Sequence, residues 1–476
     1  MTPEQKKIIP LFLTLAFISF ALRLYHVSQG LWFDEIHTLA FYASKDLHTI
    51  LTSLKEPNNH ILFSLLAKIS ITIFGISEWS FRLPSVIIGG MTPPVCYLLF
   101  RKKAGELSAF LAGVFMSLSF WMVWYSQDGR GYAGFIFFSV LSQVLYLDWR
   151  EKGGKRTAVL YLACAAISAY FFLYGIFVIA GQIAYGFLIW LRAGKEKKMM
   201  TFLLPAIALA VVLVLYAPGL SDLLSYALSP QGGRNLSSAW FNLQFFRDLA
   251  EILSGSHLLW FAVFMFGISG FGMFRLFKLW PGLVYLYLLA TAPLILSVLA
   301  ARVFICARFL TFLIPLFCLS AAVAIDGFAK AANKRLPLLK KNILVIAFAT
   351  LICFCLAFSL ARYYKMGKQG FKDAALYIQK YHPGKPVVSF GMANIEFLFY
   401  CPHARPHPGI RPLSPDDVTG AMLVAFYPQS WSPGNVDFIN RSCRLEKEWP
   451  SAGYDDSTVY LYNCFNKIDP NEGPGK

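Results

Sequence analysis

Long apolar segments separated by short charged runs account for most of this sequence. Hydrophobic residues make up 57% of the chain and charged residues only 14%, whereas soluble domains contain about 25% charged residues. Because about 20 apolar residues suffice to cross a bilayer as a helix, the pattern predicts a polytopic α-helical membrane protein. It excludes a soluble enzyme, a nucleic-acid-binding domain and a small secreted module held together by disulfides.

The basic residues determine the expected orientation. The net charge is +17, and Lys and Arg cluster in short runs between apolar segments, which is typical of cytoplasmic loops. With a cytoplasmic N-terminus, only one of the segments 60–74 and 82–100 can cross the membrane. The first is short and contains Lys68, so we expect a helix lying in the outer interface. Eleven spans are then predicted, at 8–24, 82–100, 107–124, 132–147, 158–174, 176–191, 199–217, 257–277, 281–301, 309–326 and 342–361.

This topology places residues from about 362 onward outside the cytoplasm. We therefore divide the chain into a membrane domain, 1–361, and a small extracytoplasmic α/β domain, 362–476. Periodicity predicts the elements of the second domain. They are helices at 372–380 and 394–400 and strands at 385–390, 422–426 and 459–462.

Three of the nine cysteines, Cys401, Cys443 and Cys464, fall in this C-terminal segment. An extracytoplasmic location permits a disulfide, and Cys443 with Cys464 is the pairing that we expect. The other six lie in or at the edge of apolar segments, where cysteine behaves as a small buried hydrophobe. There is no C-x-x-C motif, so a structural zinc site is not expected.

The first string with chemical character is Trp-Phe-Asp-Glu at 32–35, directly after the first span. An acidic pair at the membrane boundary is costly and tends to be functional, although Asp34 or Glu35 could instead cap an interfacial helix. The same loop holds four of the eight histidines, and it continues into Lys55-Glu56-Pro-Asn-Asn-His60. Such a loop can supply a general base and metal ligands.

Two further strings lie in predicted outer loops. Tyr125-Ser-Gln-Asp128-Gly-Arg130-Gly-Tyr132 joins two spans, and its guanidinium suits a phosphate. The alternative is an internal Asp–Arg pair that tightens the turn. Arg302 and Arg308 flank another outer turn, against the positive-inside bias. They are candidate anion ligands, and snorkelling to the interface is the alternative.

The order of these strings resembles the C-type glycosyltransferase superfamily. It is closest to the family 39-like group of protein mannosyltransferases and lipid A aminoarabinose transferases. The resemblance rests on 32–35, on 56–60 before the interfacial helix, on Gly-Ile-Ser-Glu-Trp-Ser-Phe-Arg-Leu-Pro-Ser at 75–85 and on 125–132. Two strings depart from the group: Asp128-Gly-Arg130 replaces Glu-Ala-Arg, and Pro57-Asn-Asn-His60 replaces Pro-Pro-Leu.

The resemblance implies an enzyme of the cell inner (plasma) membrane that moves a sugar from a polyprenyl-monophosphate donor to an extracytoplasmic lipid, glycan or protein, with inversion. Asp34 would be the general base. The remaining roles divide into further catalytic residues (Glu35, Asp128), donor-phosphate ligands (Arg130, Arg302, Arg308, Lys55), substrate contacts (Tyr125, Tyr132, Arg82) and metal ligands (Glu56, His60, His257), with a divalent cation left open as cofactor. The alternatives are a flippase for lipid-linked sugars and a non-catalytic component of envelope assembly.

Overall fold

The computed structural model describes residues 3–55, 58–193, 199–228, 242–301, 305–335, 341–453 and 457–465. Within them, eight helices are long and apolar enough to cross a membrane, and a ninth crosses if a bent pair counts as one span. The chain is thus an integral membrane protein, as predicted, and the count of eleven spans stays a prediction. The helices that correspond to the eleven segments are Pro3–Leu24, Glu78–Ala104, Glu106–Leu118 with Phe120–Ser126, Tyr132–Lys152, Lys155–Phe171, Gly175–Ala193, Met200–Tyr216, Leu259–Leu279, Pro281–Ala301, Ile314–Arg335 and Lys341–Met366.

The chain divides into two compact units. The first comprises Met1–Val27 and Phe41–Leu360, and the second comprises Ser28–Ala40 and Ala361–Lys476. The longer stretch of the second unit starts at Ala361, and the division into domains at 1–361 and 362–476 stays a prediction. The second unit also includes thirteen residues of the first predicted outer loop, and this inclusion was not anticipated from sequence.

Small residues allow the first helix to pack closely in the first unit. A Cβ added to Gly90 would lie 2.6 Å from the Phe20 ring, and one added to Gly113 would lie 2.7 Å from Leu15. Phe20 and Leu15 belong to Pro3–Leu24, so two neighbouring helices approach this helix through their glycines. Close backbone approach through small residues is how helices associate in membranes, where water cannot drive their packing.

The predicted span 107–124 is two helices, Glu106–Leu118 and Phe120–Ser126, bent by 64°. At the break, the Phe120 amide donates to the Gly255 carbonyl at 3.1 Å, and the Ser119 hydroxyl accepts from Met122 N. A bend leaves helical carbonyls without their usual donors. Here the fully buried Arg23 guanidinium donates to two of these carbonyls, Met116 O and Ser117 O, at 3.4 Å each.

Arg23 also holds the start of the loop that follows the bend. Its Nε donates to Ser126 Oγ at 2.9 Å, and the Gln127 amide donates back to the Arg23 and Tyr25 carbonyls at 2.8 and 2.6 Å. These contacts connect the end of the first helix to the string 125–132. The string is therefore anchored to a transmembrane helix rather than held only by its own turn.

The predicted interfacial segment forms the helix Ile61–Phe74. Its 14 residues would extend about 21 Å, less than the roughly 30 Å of the hydrocarbon core. His60 occupies the N-cap position. The short helix is confirmed, and its location in the interface stays a prediction.

The second unit contains a five-stranded sheet with the order β2-β1-β3-β5-β4. The strands are β1 (Val387–Gly391), β2 (Arg405–His407), β3 (Met422–Phe426), β4 (Cys443–Trp449) and β5 (Val459–Cys464). β1 is parallel to β2 and β3, and β5 is antiparallel to β3 and β4. The helices are Phe33–Thr38, Phe371–Tyr381, Pro415–Val418 and Pro433–Ser442, with a 3-10 turn at Glu396–Phe399. The three predicted strands match β1, β3 and β5, and β2 and β4 were missed.

The expected disulfide is present between Cys443 and Cys464, which face each other in the β4–β5 register. Cys401 is a free, buried cysteine. Asp417 pairs with Arg411 and accepts hydrogen bonds from the Ser414 hydroxyl and amide, and these donors hold the pKa of its carboxyl well below the usual range. These contacts engage Asp417 in a local turn.

Candidate active site

Asp34 is the second residue of the six-residue helix Phe33–Thr38 in the second unit. The Thr38 hydroxyl donates to the Asp34 carbonyl at 2.8 Å. The residue is 9% exposed, whereas its neighbour Glu35 is completely covered. Of this adjacent pair of acids, Asp34 is therefore the more accessible to a substrate.

Glu35 has structural partners inside the same unit. Its Oε2 accepts from the Trp32 amide at 3.3 Å, which caps the start of the helix. The same oxygen lies 3.5 Å from Lys368 Nζ, and both side chains have no exposed surface. These contacts agree with the capping alternative considered for the acidic pair, and a direct catalytic role for Glu35 stays a prediction.

The string 125–132 forms a buried turn in the first unit. The Arg130 amide donates to the Asp128 carbonyl at 2.7 Å, and the Ser85 hydroxyl donates to the Arg130 carbonyl at 3.0 Å. Asp128 has no exposed surface and Arg130 is 2% exposed. The Arg130 guanidinium donates to Asn58 Oδ1 at 2.9 Å and lies over the Tyr132 ring, 5.7 Å from its centroid. A buried, oriented guanidinium of this kind is a strong anion ligand.

His60 lies beside this turn. Its Nδ1 is 3.0 Å from the Phe171 carbonyl, which can only accept, so Nδ1 carries the proton. Burial lowers the pKa of His60 well below its usual value, and the charges of Arg130 and Arg308 lower it further. The ring is therefore neutral, and its Nε2 is a buried acceptor without a hydrogen-bond partner among the described residues. His60 Nε2 is thus a neutral hydrogen-bond acceptor, and Arg130 and Arg308 both contribute to keeping it so.

Aromatic rings enclose the same position. The His60 ring lies 5.4 Å from Tyr132 and 5.2 Å from Phe172, and Tyr125 lies 4.9 Å from Tyr132. Tyr174 extends this wall and packs 4.2 Å from Phe309, next to Arg308. Phe172 and Phe309 were not singled out from sequence, because each lies in a long apolar segment whose composition does not distinguish a wall from a core.

The tight turn at Gly131 gives a first testable prediction. A Cβ added there would lie 1.9 Å from the Phe171 carbonyl oxygen and 2.8 Å from His60 Nδ1. We expect Gly131→Ala to destabilise the protein by about 1–3 kcal/mol, as overpacking does, and to lower its activity. Gly267→Ala is the matched control, because a Cβ added there meets nothing within 4 Å. Thermal unfolding in detergent measures the difference, and equal stability of the two variants would contradict the prediction.

Other predicted site residues have separate environments. Arg82 is fully buried and donates to the Val27 carbonyl at 2.8 Å, which supports a structural role. His257 pairs with Glu251 at 3.0 Å and packs against Phe120, 4.3 Å between ring centroids. Lys55 is exposed. Glu56 and Arg302 lie outside the described residues, so their assigned roles stay predictions.

The described residues do not assemble the predicted metal site. None of them form a group of three His, Cys, Asp or Glu side chains suited to a metal ion. The positive charges of Arg130 and Arg308 also act on His60 and oppose the binding of a further cation there. Glu56 lies outside the described residues, and the metal set of Glu56, His60 and His257 remains a prediction.

Two comparisons with known proteins bear on this geometry. Residues 55–217 match the family described as dolichyl-phosphate-mannose-protein mannosyltransferase. This match covers about a third of the chain and includes the string 125–132, His60 and Lys55, but neither Asp34 nor Arg308. No curated protein matches the chain significantly.

Solved structures match over nearly the whole length. One match is ArnT from Cupriavidus metallidurans, solved bound to undecaprenyl phosphate, which is 14% identical with a TM-score of 0.61. The match covers 98% of this chain and 99% of the ArnT chain. The oligosaccharyltransferase AglB from Archaeoglobus fulgidus, solved with an inhibitory peptide and a dolichol-phosphate, is 12% identical with a TM-score of 0.59. This match covers 100% of this chain and 76% of the AglB chain. The chain thus shares the fold of these structures, which is the fold that the resemblance implied.

Proposed function

We propose that this chain, which carries the C-type glycosyltransferase fold, transfers a sugar from a polyprenyl-monophosphate donor to an acceptor outside the cytoplasm. The observation that carries the proposal is the buried Arg130 guanidinium, which Asn58 Oδ1 and the Tyr132 ring hold in place. A polyprenyl monophosphate combines an anionic group with a long apolar chain. A guanidinium buried against an aromatic ring in a membrane protein suits such a ligand.

The arginines act on the leaving group. When the bond between the anomeric carbon and the phosphate oxygen breaks, the electron pair stays on that oxygen. Guanidinium groups already in place stabilise this charge without reorganising, which is the usual source of large electrostatic effects in catalysis. Arg130 is suited to this because Asn58 and Tyr132 hold its orientation.

His60 and Asp128 orient the sugar. The Nε2 lone pair of neutral His60 accepts a hydrogen bond from a sugar hydroxyl, and the Asp128 carboxylate orients the sugar or the acceptor. A buried acceptor of this kind favours a hydroxyl donor over an apolar group, because it would otherwise remain unsatisfied.

Asp34 acts on the acceptor. Its carboxylate takes the proton of the attacking hydroxyl while the acceptor oxygen bonds to the anomeric carbon on the face opposite the phosphate. The configuration therefore inverts, and polyprenyl phosphate departs. An extracytoplasmic location for the second unit is supported by the Cys443–Cys464 disulfide, since such bonds persist in oxidising compartments.

Transfer by purified protein tests the proposal. The protein is reconstituted in lipid, supplied with radiolabelled polyprenyl-phosphate sugars and a membrane extract as the source of acceptors, and the label is followed into lipid, glycan and protein fractions. We expect label to leave the donor and enter one of these fractions. Movement of intact donor across sealed vesicles without acceptor, and without transfer, would instead identify a flippase.

A further inference from the structure

A lysine with no exposed side-chain surface lies shortly after the end of the helix Lys341–Met366. Lys368 Nζ is 3.5 Å from Glu35 Oε2 and 5.9 Å from the centroid of the Trp32 ring. A buried ammonium group is costly unless an opposite charge compensates it. Glu35 supplies that charge from a position more than 300 residues earlier in the sequence.

Neighbouring side chains hold the same short segment. Gln369 Oε1 accepts from the Phe33 amide at 2.8 Å, and the Tyr400 hydroxyl accepts from the Leu31 amide at 2.7 Å. The Phe33 amide belongs to the first turn of the helix and would otherwise lack a helical acceptor. Residues after 360 thus provide acceptors for two backbone amides around the start of the Asp34 helix.

The helix depends on these contacts. Phe33–Thr38 has six residues and continues as the five-residue π-helix Leu39–Ala43. Both together are still shorter than the roughly 12–15 residues that an isolated helix needs to be even marginally stable in water. One carboxylate oxygen of Glu35 accepts from the Trp32 amide and also faces the Lys368 ammonium. The ion pair and the helix cap therefore form together.

We propose that Lys368 is a positioning residue, which holds the Asp34 helix through Glu35 in the arrangement required for proton transfer. Gln369 assists by fixing the Phe33 backbone. The inference rests on the proposed function, because it takes Asp34 as the base, and it gives the second unit a specific role. A displacement of about 1 Å at a reacting group can cost about 10²-fold in rate.

Steady-state transfer by full-length Lys368→Met tests this role. We expect kcat per folded molecule to fall at least about tenfold with the donor KM unchanged, since a misplaced base affects chemistry more than donor binding. Lys368→Arg retains the positive charge and should recover part of kcat. The control is Lys380→Met on the exposed face of Phe371–Tyr381, which should behave like wild type.

Lys368→Met leaves a buried carboxylate without its counter-charge and is at risk of not folding. In that case the double variant Lys368→Met/Glu35→Gln, which removes both charges, is assayed instead. The same fall in kcat per folded molecule is expected. A kcat within twofold of wild type in the folded variant would overturn the proposal, and so would a raised KM with unchanged kcat. Asp34→Asn is assayed in parallel. If it is active, the base assignment itself fails, whereas an inactive Asp34→Asn beside a fully active Lys368 variant refutes the positioning role alone.

Discussion

We expect Asp34→Asn to lower sugar transfer by about 10²–10⁴-fold, the usual effect of losing a general base, while the protein remains folded. Asparagine has nearly the same shape as aspartate but cannot take a proton from the acceptor hydroxyl. The Thr38 hydroxyl donates to the backbone carbonyl of residue 34, so the substitution leaves this contact in place. Activity should therefore fall without loss of stability.

The measurement is the initial rate of label transfer in lipid, with thermal unfolding and size-exclusion profiles of the same preparations. Asp416→Asn makes the same chemical change at an exposed position of the second unit and should leave both rate and stability unchanged. Full activity of folded Asp34→Asn would eliminate this residue as the base. A loss in both variants would point to a general effect of removing negative charge.

Structural features that depend on a short, continuous stretch of sequence could be predicted. The helices of spanning length follow from apolar runs, and β3 (Met422–Phe426) follows from five consecutive buried apolar residues. The string 125–132 was identifiable because acidic and basic residues between aromatic residues and glycines are rare in apolar surroundings. Arg23 was identifiable on the same basis, as a charge inside a spanning segment, but was not singled out.

Features that depend on distant pairing were not predictable. β4, Cys-Arg-Leu-Glu-Lys-Glu-Trp, is an edge strand whose central residues are exposed and charged, so it lacks the alternation of a half-buried strand. β2 has only three residues. Lys368 and Glu35 meet across more than 300 residues, and a single lysine after a span looks like any membrane-flanking lysine. The role of Glu35 as a helix cap could be considered from sequence, but its buried partner could not be named.

Arg130→Ala is expected to lower kcat by about 10²–10³-fold, the usual effect of removing one preorganised donor from a developing negative charge. Arg308→Ala should act in the same direction. Arg130→Lys should restore little, because an ammonium group cannot keep the planar contacts that the guanidinium makes with Asn58 and Tyr132. Arg156→Ala, which removes an exposed arginine at the start of Lys155–Phe171, is the control and should retain full activity.

Product inhibition separates a direct action on phosphate from an indirect effect on packing. Free polyprenyl phosphate competes with the donor through the group that the arginines are proposed to bind, whereas the matching polyprenol competes through its apolar chain alone. Loss of Arg130 or Arg308 should weaken inhibition by the phosphate and leave inhibition by the alcohol unchanged. A variant with lower kcat but unaltered inhibition by both lipids would show that its arginine acts elsewhere. Weakened inhibition by both would instead mean that the substitution had disturbed the binding of the prenyl chain.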